Sequence, residues 1–295
     1  MKPAAFNYLR PTDLTEALEY LKLYGEDAKV ISGGQSLVPL LNMRLATPYY
    51  LIDISRLEEL KYIRKDHGFI RMGALTRHVE VENSPMIKTD CPLLTEAVSY
   101  IGHSQIRNRG TIGGSIAHGD PSAELPVVLS ALRGEIVIIG LDGERMVSPD
   151  EFFLTYMLTN LDPIEIVKEV RFPVLPIRSG FAFVEKARRH GDFALVEAAA
   201  VIALDEKGCI SDARLAIGGV HPVPVVLTEI EEKLMGQKPT NALFEHVSQL
   251  VKDLVDPEED LHATVDYRRQ LASVLTKRAL ILANNRLNEG GIKVG

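Results

Sequence analysis

The chain has 295 residues, 46% hydrophobic and 25% charged, which is the balance of a globular protein and excludes a disordered or fibrous class. Its formal net charge of −7 speaks against nucleic acid or an anionic membrane surface as a partner, because those are held by clustered Lys and Arg. No stretch approaches the roughly 18 uninterrupted apolar residues of a membrane span, the start lacks a signal-peptide pattern, and Cys91 and Cys209 stand far apart with no metal-ligand spacing, so a reduced, cytoplasmic setting with no metal on this chain is expected.

Leu14, Ala17, Leu18 and Leu21 recur at helical spacing between a Thr12 cap and a Gly25 stop, which predicts an opening amphipathic helix. A strand over 28–31 then feeds a glycine-rich loop and a short helix from Leu37, and 50–54 reads as a buried strand. Hairpins are expected for 60–63 with 69–72, around Asp66-His67-Gly68, and for 135–139 with 145–147, around Leu141-Asp142-Gly143. A helix is expected for 92–100 and a strand for 164–172, before Pro173 and Pro176. Strands over 181–187, 194–204 and 213–217 follow, and the chain ends in helices. The last, about 266–288, is read with Leu271, Val274, Leu275, Ala279, Leu282 and Ala283 on one face. Strands followed by helices indicate an α+β protein, here divided into 1–56, 57–177 and 178–295.

Two glycine pairs carry the functional reading, Ser32-Gly33-Gly34-Gln35-Ser36-Leu37 and Thr111-Ile112-Gly113-Gly114-Ser115. Paired glycines take positive φ without a Cβ clash, so successive amides can form an anion-binding nest, with hydroxyl donors from flanking Ser or Thr. Two such nests suit a diphosphate, and hence a long dinucleotide held between two segments. Ordinary turns are the alternative for either pair alone.

The second pair lies inside Ile101-Gly102-His103-Ser104-Gln105-Ile106-Arg107-Asn108-Arg109-Gly110, and runs on through His118-Gly119-Asp120-Pro121-Ser122-Ala123-Glu124. With Ala5-Phe6-Asn7-Tyr8-Leu9-Arg10-Pro11, Gly73-Ala74-Leu75-Thr76, 185–194 and Leu215-Ala216-Ile217-Gly218-Gly219-Val220, this resembles the FAD-binding medium subunit of the molybdenum hydroxylases. That family includes carbon monoxide dehydrogenase medium chains and the flavin domain of xanthine dehydrogenase. Ser32 departs from a frequent Ala and Ser115 from a frequent Asn. The resemblance implies a two-subdomain FAD-binding fold, of the kind seen in vanillyl-alcohol-oxidase-like flavoproteins. A C-terminal α+β domain with a three-stranded antiparallel sheet and a helix bundle is implied after it.

It further implies noncovalent FAD, since neither glycine segment offers a His or Cys for attachment. The implied cofactor set is Lys29, Val30, Ile31, Ser32, Gly33, Gly34, Gln35, Ser36 and Leu37, with Thr111, Ile112, Gly113, Gly114 and Ser115 opposite. Glu124 is implied to meet the hydroxylated chain of the cofactor, Ile101, Ile166 and Val167 to wall the flavin, and Asp192, Phe193 and Lys186 to approach its ring. Asp120 and His118 are left open between FAD and a turn. Ser36, Ser104 and Ser115 lack a nucleophile elbow, so no catalytic dyad is expected. The implied role is electron transfer within a dimer of heterotrimers. Electrons come from 2Fe-2S clusters on a small subunit, after substrate oxidation at a molybdenum cofactor on a large one, and go to NAD, a quinone or oxygen. A self-sufficient flavin oxidoreductase and a non-catalytic nucleotide-binding subunit are the alternatives.

Overall fold

Three β-sheets, each with its own apolar core, organise residues 1–289, which the computed structural model describes; positions 290–295 of the third expected segment lie outside the described residues. The first sheet is parallel, in the order β1 (Asn7–Leu9), β3 (Tyr50–Asp53), β2 (Ala28–Ile31). Helix α1 (Leu14–Tyr24) buries Leu14, Ala17, Leu18 and Leu21 as its spacing predicts. Its cap is Asp13, whose carboxylate accepts from the Glu16 amide at 2.9 Å; Thr12 instead donates to the Glu16 side chain. Helix α2 (Leu37–Met43) starts two residues beyond the first glycine pair.

The second sheet is antiparallel, in the order β4 (Ile63–Asp66), β5 (Phe69–Gly73), β10 (Ile166–Pro173), β6 (Glu135–Gly140), β7 (Gly143–Val147). Both expected turns form hairpins, but the leading strand of the first is Ile63–Asp66 rather than 60–63, because Glu58–Leu60 winds into a 3-10 turn; the late strand β10 closes between the two hairpins, pairing Phe172 with Ile70 and Val170 with Ile136. Between β5 and β6 run the helices α3 (His78–Asn83), α4 (Pro85–Asp90), α5 (Pro92–Tyr100), α6 (Ser104–Arg107), α7 (Ile112–His118) and α8 (Glu124–Leu132). Every residue of α8 from Leu125 to Leu132 is buried, so it lacks the one-sided apolar period by which α5 was legible. Short α9 (Pro149–Phe152) and the small hairpin β8 (Phe153–Thr155) and β9 (Leu158–Thr159) precede β10.

The third sheet joins β11 (Ser179–Ala187), β12 (Ala194–Leu204) and β13 (Ile210–Gly218) antiparallel, with two-residue β14 (Val225–Val226) added at its edge. Helices α10 (Thr228–Leu234), α11 (Asn241–Leu254) and α12 (Val265–Asn288) cover one face. Along α12 the buried stripe is Ala272, Leu275, Ala279, Leu280 and Ala283; Leu282 is exposed, because the sheet and α11 together select a face slightly rotated from the expected one. The other face of the sheet, through Phe183, Ala199, Val201 and Ala216, packs into the core of α5 and α8. Arg286 of α12 clamps this junction, donating to both oxygens of Glu96 on α5 at 2.6 and 2.9 Å. Among the described residues no helix is long and apolar enough to cross a membrane.

Candidate cofactor site

The two glycine segments meet. Ser32 Oγ lies 3.0 Å from Thr111 Oγ1, and Gly33 packs so closely on the Arg109 carbonyl and Gly110 that a Cβ has no room. The first segment behaves as its residues suggest: Gly34 has φ +71°, Gln35 Nε2 donates to the Gly33 carbonyl at 2.8 Å, and Ser36 is exposed at the start of α2. Among the described residues the amides of Gly33, Gly34 and Gln35 donate to no backbone carbonyl, which leaves them for an anion.

The second segment is built differently. Gly113 and Gly114 lie in the first turn of α7 with ordinary φ, and their amides are already used, Gly113 donating to the Ala74 carbonyl at 2.9 Å and Gly114 to Thr111 Oγ1 at 3.1 Å. It is therefore no positive-φ nest. Its glycines serve close approach: a Cβ on Gly113 would collide with Ala74, and one on Gly114 would come within 2.8 Å of both Ser32 Oγ and Thr111 Oγ1. The segment is pinned from behind, where Ile112 donates to the Thr76 carbonyl and His78 to that of Gly110. Burial brings the His78 imidazole down to about 4, so it is neutral packing beneath Gly110.

Glu124 opens α8 a short loop beyond α7, and burial pushes its carboxyl up to about 8. Asp120 serves the turn, accepting from the Ser122 amide at 2.9 Å, and His118 is held below its usual value by burial. Lys29 is exposed on β2, Val30 and Ile31 are half-buried behind the first segment, and Leu37 begins α2. Ile101 is half-buried at the end of α5, beside a turn on which the loop before β12 leans: the rings of His103 and His190 meet edge-on at 5.7 Å. That loop presents Asp192 and a 70% exposed Phe193, an aromatic face without a covering.

Not every expected residue is brought in. Ile166 and Val167 are both buried, in two different cores, so their side chains are packing rather than an open wall. Lys186 is exposed and pairs across the strands with Val196, whose side chain belongs to the core under α12. It thus stands on the face of β11 turned away from α8 and Glu124. The neighbour Glu185 points the other way, opposite Glu197 on β12, and burial lifts its carboxyl to about 7. Neither Glu185 nor Glu197 was legible as a site residue, since one carboxyl per strand gives no spacing to read.

A site with unused amides at one end, tight glycine contacts at its centre and raised carboxyls beyond them has the kinds of groups that an FAD diphosphate and hydroxylated chain require. Phe193→Ala is expected to weaken FAD binding by about tenfold, the scale of one aromatic stacking contact, and to shift the flavin absorption bands. Unchanged affinity and spectrum, measured by titration of the apoprotein, would leave Phe193 as surface.

Comparison with known proteins supports FAD as the cofactor of this chain. Residues 4–175 match the family model described as FAD binding domain in molybdopterin dehydrogenase, and 181–283 match the CO dehydrogenase flavoprotein C-terminal domain. The chain is 41% identical to the 6-hydroxypseudooxynicotine dehydrogenase complex subunit alpha of Paenarthrobacter nicotinovorans, over 97% of both chains. It is 37% identical to the caffeine dehydrogenase subunit beta of Pseudomonas sp. (strain CBB1), over 100% of both. A solved carbon monoxide dehydrogenase from Hydrogenophaga pseudoflava, lacking the Mo-pyranopterin moiety of its cofactor, contains a chain that superposes with a TM-score of 0.94 at 36% identity, covering 97% of this chain and 99% of that one.

Proposed function

The chain belongs to the family of FAD-binding subunits of molybdopterin-containing dehydrogenases, and from that premise we propose that it is the outgoing electron station of its complex. It takes electrons from 2Fe-2S clusters on a small partner subunit and passes them to NAD, a quinone or oxygen. The observation that carries this reading is the meeting of the glycine segments, where Ser32 and Thr111 touch and Gly33 and Gly114 have no space for a side chain.

When bound, FAD supplies the exchange between one-electron and two-electron carriers that such a station needs. The protein's own residues bind and orient. The free amides from Gly33 to Gln35 and the N-terminus of α2 offer fixed positive dipoles to the diphosphate. Thr111 and Ser32 close the gap between subdomains, and Glu124 accepts from the hydroxylated chain. Phe193 covers the ring from the loop above. A large subunit with the molybdenum cofactor completes the proposed assembly, a dimer of heterotrimers placed in the cytoplasm. Several relatives carry names of subunits or medium chains, which supports a multi-subunit setting.

The test is spectroscopic. The isolated chain is expected to be yellow with one FAD, to release it on acid precipitation, and to show flavin bleaching only when partner subunits and their substrate are added. Colour retained in the acid pellet contradicts noncovalent binding. Bleaching by an organic substrate with the isolated chain makes the protein a self-sufficient oxidoreductase instead, and a colourless protein that takes up no FAD overturns the reading.

A further inference from the structure

The strand that follows Phe193 is irregular where it begins. Lys186 of β11 pairs with Val196, and the next residue, Ala187, pairs with Ala194, so Leu195 is an extra residue of β12 with nothing opposite it. Such a bulge re-aims the chain around it and leaves a carbonyl outside the ladder that needs another donor. β13 ends close by. Just past its pairing of Gly218 with Glu197, Gly219 takes φ +75° and lies so near the Leu195 carbonyl that a Cβ would come within 2.5 Å of it. The Gly219 amide donates to the Pro121 carbonyl at 3.0 Å, which ties this corner to the turn leading to Glu124. One side chain reaches both strands. Arg268, 7% exposed near the start of α12, donates from Nη1 to the Leu195 carbonyl and, at 2.8 Å, to that of Gly219, while its Nη2 donates to Asp260 Oδ2 at 2.8 Å. Asp260 is itself fixed, since Oδ1 accepts from the amides of His262 and Ala263 at 2.8 and 2.9 Å. Three acceptors around one planar fork suit a guanidinium and not an ammonium.

We propose that Arg268 is a positioning residue of the cofactor site: by holding the bulge at Leu195 against the end of β13, it sets where Phe193, two residues earlier, stands over the flavin ring. This rests on the reading of Phe193 as the cover of that ring. Phe193 is 70% exposed, so packing of its own side chain does not fix its place. The backbone that carries it is fixed from behind instead, by a buried side chain that belongs to α12 and bonds to Leu195, Gly219 and Asp260. Gly219 supplies the frame, because its amide joins the same corner to the 121–124 turn on the other side of the site.

The experiment titrates apoprotein of the full chain with FAD, in wild type, Arg268→Lys, Phe193→Ala and the double variant, and records the flavin absorption spectrum of each. Arg268→Lys keeps the positive charge, so long-range attraction for a diphosphate is unchanged, but it loses the fork. It is expected to weaken FAD binding about fivefold and to move the flavin bands toward those of Phe193→Ala. Once Phe193 is absent, the same substitution is expected to change affinity by less than about twofold, because its effect runs through that ring. Equal losses with and without Phe193, or wild-type affinity and spectrum in Arg268→Lys, overturn the proposal; a residue that merely supports the fold acts alike in both backgrounds. Where Arg268→Lys does not fold, Asp260→Asn replaces it in the same comparison: its amide oxygen still serves the His262 and Ala263 amides, but its NH2 meets Nη2 donor to donor. Phe193→Ala separates the two levels. Full affinity and an unchanged spectrum there remove Phe193 from the site and this proposal with it, whereas a loss there combined with an inert Arg268→Lys refutes only the present inference.

Discussion

Gly33→Val is expected to leave the protein without FAD. A Cβ at this position has nowhere to go: it would press into the backbone carbonyl of Arg109 and lie 3.0 Å from Gly110 Cα, atoms that no rotamer change can move. Relieving the clash separates the two segments, breaking the Ser32–Thr111 contact and tilting the amides proposed to hold the diphosphate. The strain itself costs about 1–3 kcal/mol, which a protein of this size survives, so the fold is expected to persist while the cofactor is lost. Gly114→Val is expected to act from the other side, against Ser32 Oγ and Thr111 Oγ1. Flavin absorbance per chain and a melting curve are the measurements. Normal flavin content in both variants would make the segments structural turns.

Glu169→Ala is expected to produce the largest loss of stability, about 3–5 kcal/mol, because it removes from a buried site the one acceptor shared by Tyr62, Arg64, Arg71 and Arg171. Glu169, 1% exposed at the centre of the second sheet, accepts from Tyr62 Oη at 2.6 Å, Arg71 Nε at 2.9 Å and Arg171 Nε at 2.6 Å. Burial alone would raise its carboxyl, but these hydrogen bonds outweigh burial and bring it from 4.5 down to about 2. Its folded value is thus the depressed one, so its contribution, about 3 kcal/mol, is fully present above the unfolded value and disappears as pH falls from there toward about 2. Acid denaturation followed by circular dichroism is expected to begin near pH 4.5 in the wild type, and Glu169→Ala should lack that part of the acid sensitivity. Parallel acid curves for the two proteins would show that Glu169 is not the group responsible.

Glu169 and Glu197 illustrate what a sequence conceals. Each is the single acid of its strand, and the same letter is an ion held by three arginines in one sheet and an unpartnered acid in the other. Only the partners decide, and they come from positions as far as 107 residues away along the chain. The second glycine pair shows the opposite error. The pair reads as a positive-φ nest, but Thr111 caps α7 and the pair lies in the first turn of a helix, since its real constraint is the nearness of Ala74 and Ser32.

The sequence by itself determined the elements whose signals are local: the stripe and stop of α1, the hairpins around Asp66-His67-Gly68 and Leu141-Asp142-Gly143, helix α5, the long strands of the third sheet, and the family to which its motifs point. Periodicity and turn chemistry act within one element, so they survive without knowledge of neighbours. Tertiary structure alone decided that β10 closes the second sheet, that α8 is buried on every side, that Lys186 and Glu185 face opposite ways, and that Glu185 and Glu197 stand opposite each other on neighbouring strands. Those are consequences of strand register and of packing between distant segments, and in a strand a shift of one residue moves every side chain to the other face.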